Sequence, residues 1–188
     1  MVRVLCFGVS LTIGGVSKVV LDYYKNFNHD EVIFDFEVLK GFDLVYKDIV
    51  IESGSKIYEN CRVRDGIITN LINKYKHIKN AKYDAVYTHT GYKALPELFF
   101  AKILGVKRRV VHSHINNEPE TVTKTLLRKI LSFLVGRLAT DLFACSQEAG
   151  IWSYGDKACS SAKFKIINNA IDLNAFKYNP ENRKLVRS

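Results

Sequence analysis

The chain has 188 residues, 47% hydrophobic and 25% charged, which is enough for one well-buried domain and excludes a disordered polypeptide. Lys and Arg outnumber Asp and Glu by 28 to 19, for a net charge of +9; this favours anionic partners such as phosphorylated substrates or an acidic membrane surface. No apolar run has the length to cross a bilayer, no signal-peptide head or cleavage site opens the chain, and no zinc finger or RNA-binding strand motif occurs. The expectation is a cytoplasmic protein that does not bind nucleic acid. Its four scattered cysteines, Cys6, Cys61, Cys145 and Cys159, read as reduced packing residues.

In chain order, VRVLCFG (2–8) reads as a buried strand that feeds a helix over 15–27 through Gly14 and Gly15. EVIFDFEVL (31–39) reads as a second strand and IVIES (49–53) as a short third one. In 66–81, Ile67, Leu71, Tyr75 and Ile78 recur at three- and four-residue steps, which predicts a helix. DAVYTH (84–89) is a strand, and YKALPELFFAKILG (92–105) a helix stopped by Gly105. RRVVHSH (108–114) is a strand, 121–139 a helix and DLFACS (141–146) a strand. Ser146 is placed to cap the helix QEAGIWSYG, and KFKIINNAI (163–171) is the last strand.

Continuous apolar strands suit a sheet buried on both faces, and the alternation of strand and helix predicts an α/β fold. The expected architecture is a Rossmann-like, doubly wound, mostly parallel sheet. Residues 1–170 form that domain; the polar stretch 171–188 reads as the start of a linker and helix.

In such sheets ligands bind outside the carboxyl ends of the strands. The first strand ends in the loop of Gly14 and Gly15, where the N–H groups of the next helix face an anion; a turn needed only for close packing is the alternative. The strand over 84–89 delivers His89 and Thr90. The neighbouring strand delivers His112 to Asn117, so three of the five histidines gather at two adjacent strand ends. Alternation points residues 112 and 114 the same way and Ser113 the other. These imidazoles suit hydrogen bonds to sugar hydroxyls or phosphate oxygens. No carboxylate accompanies them in sequence, so zinc is weakly supported and no metal is expected. There is no G-x-G-x-x-G, no P-loop, no G-x-S-x-G and no close carboxylate pair, which counts against a nicotinamide oxidoreductase and against hydrolases.

The helix 121–139 carries Lys124, Arg128, Lys129 and Arg137 beside Leu126, Leu127, Ile130, Leu131, Leu134 and Leu138. The expectation is that most of these leucines pack on the sheet, while the basic edge remains available to lipid head groups.

The stretches GGVSKVVLDYY (14–24), DAVYTHTGYKA (84–94), RRVVHSHINN (108–117), FACSQEAGIWSYG (143–155) and KIINNAIDLNAFKYNPENR (165–183) together resemble the N-terminal domain of family 4 retaining glycosyltransferases. The last two are most similar to the branch that builds capsular and exopolysaccharides in bacteria. The resemblance implies one half of a GT-B fold that holds a glycan or glycolipid acceptor, while a second domain holds most of a UDP- or GDP-sugar. It implies that Gly14 and Gly15 approach the donor diphosphate. It further implies that His114 steadies the transition state near the donor sugar, and that His89, Thr90 and Asn116 lie on the acceptor side, with no cofactor or metal. Asn169 to Asp172 stands where the family has N-G-V-D, with Ala170 in place of the glycine. The second domain of the family, with its E-x7-E pair, is not within these residues. The expectation is therefore half of a longer enzyme, inactive alone and peripheral to the inner face of the membrane. The alternative is a freestanding half-domain docked on a partner subunit that carries the donor site.

Overall fold

The computed structural model describes residues 1–114, 121–170, 173 and 177–187. Seven strands form one sheet in the order β3-β2-β1-β4-β5-β6-β7: β1 (Val2–Phe7), β2 (Val32–Leu39), β3 (Ile57–Asn60), β4 (Ala85–Thr88), β5 (Arg108–Ser113), β6 (Asp141–Ala144) and β7 (Phe164–Ile166). Every pairing is parallel. The helices are α1 (Gly15–Tyr24), α2 (Lys47–Glu52), α3 (Ile67–Lys79), α4 (Leu95–Ile103), α5 (Val122–Leu138), α6 (Gln147–Tyr154), α7 (Asp156–Cys159) and α8 (Pro180–Arg187). The α/β reading of the sequence holds, with a sheet that is entirely parallel.

Alternate residues of β1 serve two cores. Val4 and Cys6 join Leu21 and Tyr24 of α1 and Val50 of α2, whereas Leu5 and Phe7 join Ile78 of α3 and Ala101 of α4. A third cluster continues on the α3 and α4 side, where Val111 and Leu142 meet Leu98, Val135 and Ala149. The strand order reverses at β1 and β4, and this switch point opens the crevice at the carboxyl ends. Two glycines fit local needs. Gly8, just past β1, has φ +78, and a Cβ there would lie 2.7 Å from Thr90 Cγ2 and 3.3 Å from the His89 carbonyl carbon. Gly105 ends α4 at φ +77, as the sequence predicts.

Three expectations need correction. The run 49–53 is not a strand but lies mostly in α2, because a single helical turn suffices to bury Val50 while Ile51 stays exposed. The third strand is Ile57–Asn60, whose polar end, Glu59 and Asn60, hid it from the apolar pattern. The last strand stops at Ile166, so Asn168 to Ala170 are not part of it. The larger correction concerns α5. Leu126 and Phe133 are each 61% exposed, and Leu127, Ile130 and Leu134 are exposed too. Only Ser132 and Val135 of this helix are buried. The helix docks beside α4 and α6, reaching the core cluster of Val111 and Leu142 only through Val135 and a half-buried Leu138, and leaves Leu126, Leu127 and Leu134 off the strands.

Candidate functional site

The site is built where β4 and β5 end side by side. Their register pairs Thr88 with Val111, so His89 and His112 follow as neighbours. The backbone N–H of His89 still bonds the Phe7 carbonyl at 2.9 Å, which locks this end of β4 to β1. His89 and His112 are buried and His114 is half-buried. The rings of His112 and His114 lie 4.1 Å apart at their centroids, those of His89 and His114 5.2 Å and those of His89 and His112 5.5 Å. The predicted common orientation of residues 112 and 114 is observed; Ser113 points away, to Ser153 at 2.5 Å.

A hydrogen-bond relay orders these rings. Asn169 Oδ1 lies 3.3 Å from Nδ1 of His114, so that nitrogen carries the proton. Nε2 of His114 is then the acceptor for Nδ1–H of His89, 2.9 Å away. On the far side the Tyr87 hydroxyl meets Nδ1 of His112 at 2.8 Å. Burial pushes His89 well below its ordinary value, aided by His112 and His114. Burial also brings His112 down to about 3, against a backbone contribution from Ile167, and lowers His114 against its bond to Asn169. All three are therefore neutral imidazoles at pH 7, with lone pairs to offer. Beside them a cavity of about 240 Å³ is lined by Val19, Val20 and Tyr23 of α1, by Phe34 and Tyr87, and by Phe143. Its walls are almost entirely apolar.

Thr90 sits next to this cluster, and a small recess joins it to His89 and His114; its hydroxyl bonds Thr88 Oγ1 at 2.8 Å. Gly14 and Gly15 are not brought into contact with the histidines and line neither cavity that holds them. They stand exposed at the start of α1, with no side-chain cap and no acidic residue in the first turn. Gly14 has φ 173, which any residue adopts, and a Cβ at either glycine would meet nothing within 4 Å. Neither local conformation nor crowding within the chain accounts for the two glycines; the packing alternative loses its basis. The loop before them is held by Leu11, fully buried at φ 54, and by Ser10, whose hydroxyl reaches Thr12 at 2.7 Å and Ser17 at 3.1 Å. Asn116 lies outside the described residues.

A second polar group lines the same edge. Lys74 of α3 lies 3.1 Å from Glu37 and 2.7 Å from Glu97, and His77 Nδ1 meets Glu37 at 2.6 Å. Burial raises the Glu37 carboxyl, but His77, Lys74 and Asn60 together hold it below its ordinary value. These groups border a cleft of about 450 Å³ that reaches Gly8, Ser10 and Thr90, with Arg62 and Lys93 at its margin. The sequence reading missed Tyr87, Asn169 and this ionic group. Tyr87 alternates with His89 on one strand, a readable signal; Asn169 lies 55 residues from His114, and nothing local announces the contact.

No family model matches the chain. It is 25% identical over 180 residues to EpsF of Bacillus subtilis (strain 168), a protein whose name assigns it as a glycosyltransferase. The match takes in 93% of this chain and 46% of EpsF. Among solved structures, HepE of Anabaena in complex with UDP and glucose matches all of the chain with a TM-score of 0.67 and 23% identity, over 50% of its own length. MurG of Acinetobacter baumannii matches 94% of the chain with a TM-score of 0.59 and 15% identity. The fold is that of one GT-B domain of HepE and MurG. The chain spans about half the length of the relatives it matches.

Proposed function

We propose that the chain is the acceptor-binding half of a retaining glycosyltransferase. It transfers a hexose from a UDP- or GDP-sugar to a polysaccharide precursor, carried on lipid at the inner face of the membrane. The observation that carries this reading is the similarity to EpsF along 93% of the chain, on a fold whose strand ends converge on the three histidines. In this reading the start of α1 at Gly14 and Gly15 turns N–H groups toward the donor diphosphate, whose departure is eased by fixed dipoles. His114, neutral, offers its Nδ1–H to a substrate oxygen in place of Asn169; this hydrogen bond strengthens as charge develops in the transition state. His89 holds the His114 tautomer through its own Nδ1–H. Thr90 and Asn116 face the acceptor hydroxyl, and no covalent nucleophile, metal or cofactor takes part. The remaining donor contacts come from a second domain or a partner subunit, so the 188 residues do not turn over alone.

The lipid-linked acceptor finds support in α5, which exposes Leu126, Leu127, Ile130, Phe133 and Leu134 beside Lys124, Lys129 and Arg137, with no acidic residue. An apolar face rimmed by cations suits an anionic lipid surface. Arg128 is engaged differently: its guanidinium stacks 3.8 Å from the Trp152 ring centroid and bonds the Trp152 carbonyl at 2.7 Å. No helix among the described residues is long and apolar enough to cross a membrane.

The test is to incubate the product of the complete reading frame with radiolabelled UDP- and GDP-hexoses and a bacterial lipid extract. The expected result is label in the lipid fraction, in a glycosidic bond of the same anomeric configuration as the donor. Inverted configuration, or turnover of a nicotinamide cofactor in its place, contradicts the proposal.

A further inference from the structure

We propose that His89, His112 and His114 form a three-imidazole site for a divalent transition metal ion of zinc type, with its remaining coordination position open to the apolar cavity beneath α1. One ring nitrogen from each of the three lies within 4.8 Å of the others. The Nδ1 of His89 and Nε2 of His114 are already 2.9 Å apart. Ligand bonds of roughly 2.0–2.1 Å in a tetrahedral arrangement need about 3.3 Å between donors, so small ring movements suffice once an ion replaces the shared proton, which passes to Nε2 of His89.

Two further features point to a ligand. Nε2 of His112, the ring atom that faces the other two histidines opposite the Tyr87 bond, is buried and makes no hydrogen bond, and an unpaired buried polar atom is costly. A cluster built only to hydrogen-bond within itself would not leave that atom over. Moreover, Tyr87 holds Nδ1 of His112 and Asn169 holds Nδ1 of His114; outer partners of this kind fix the ring orientation of metal-bound histidines.

The donor set chooses the ion. Three uncharged nitrogens without a carboxylate suit zinc, cobalt, nickel or copper, and give magnesium or calcium nothing to bind. The bound ion keeps its double positive charge and completes its shell with water or a small anion from the cavity of about 240 Å³. This goes beyond the transfer reaction and needs no donor sugar. Where it meets that reading, the ion displaces the His89–His114 hydrogen bond and shifts both rings, and so acts as an inhibitor.

The experiment titrates Co²⁺ and Zn²⁺ into the 188-residue chain, reading the visible absorption of cobalt and its displacement by zinc. The expected result is one equivalent bound, with the intense bands of a four-coordinate site. Tyr87→Phe, which keeps the ring and removes only the hydroxyl behind His112, weakens binding about tenfold. His114→Ala and His112→Leu abolish it, with circular dichroism showing that each variant is folded. His77→Ala, outside the cluster, leaves it unchanged. Absence of saturable binding, or binding that survives both His112→Leu and His114→Ala, overturns the proposal. Because the readout is spectroscopic, it stands or falls apart from transferase activity.

Discussion

Gly14 separates stability from function at a single atom. Its backbone is extended and the space beside it is open, so Gly14→Ala costs no packing; the unfolded-state freedom it removes, worth about 0.4–1 kcal/mol, offsets the poorer N-cap that Ala gives α1. The expected outcome is a melting temperature close to the parent's, with a raised KM for the sugar nucleotide in the complete enzyme. A loss of more than about 2 kcal/mol, beyond any capping effect, would return Gly14 to a packing role. Lys74 is the opposite case. Its ammonium neutralises two buried carboxylates, Glu37 and Glu97, and Lys74→Met leaves Glu97 without a cation and Glu37 with only His77 and Asn60, at a cost of about 3–5 kcal/mol, measurable by urea unfolding. The same group sets an acid limit. Glu37 is held below its ordinary value of 4.5, so the unfolded chain binds its proton more tightly. The stabilisation is complete above about pH 4.5 and is lost as pH falls through the folded value. Urea midpoints should drop there in the parent and less in Glu37→Gln.

At the scale of elements, α5 carries the sharpest departure from expectation. Its leucines read as core because helical spacing records which residues share a face and not what that face meets. The helix packs through Ser132 and Val135, which leaves the apolar side outward. Leu127→Glu with Phe133→Glu should change stability by no more than about 0.5 kcal/mol per site, and should abolish sedimentation with phosphatidylglycerol vesicles. Equal sedimentation of parent and variant would contradict a lipid-facing α5. The remaining elements were legible for a simple reason. In β1 and β4 both faces are covered, so Val4–Phe7 and Ala85–Tyr87 are apolar without interruption; Ser146 caps α6 by accepting from the Ala149 N–H, as its residue type predicts. The strand Ile57–Asn60 was not legible, because its buried end is Asn60, satisfied through Glu37 at 3.1 Å. Polar pairing of that kind leaves no hydrophobic trace.

For the whole molecule, topology assembles the site. The reversal of strand order at β1 and β4 brings the glycine loop and His89 to one edge, and the adjacency of β4 and β5 places three histidines within ring contact. The sequence showed the gathering of histidines because each ends a strand. It could not show the relay through Asn169, which depends on the segment after β7 reaching the end of β5. Nor could it show the lack of partners for Nε2 of His89 and His112, which is a property of packing. The chemistry proposed for this edge is glycosyl transfer supported by a neutral His114. It is tested most directly by comparing kcat of the complete enzyme with that of His114→Ala, using labelled sugar nucleotide and lipid acceptor. Loss of one hydrogen bond to developing charge predicts a fall of roughly 100-fold in kcat in a variant that remains folded, though less stable for the lost His89 bond; an unchanged kcat in the folded variant would contradict it.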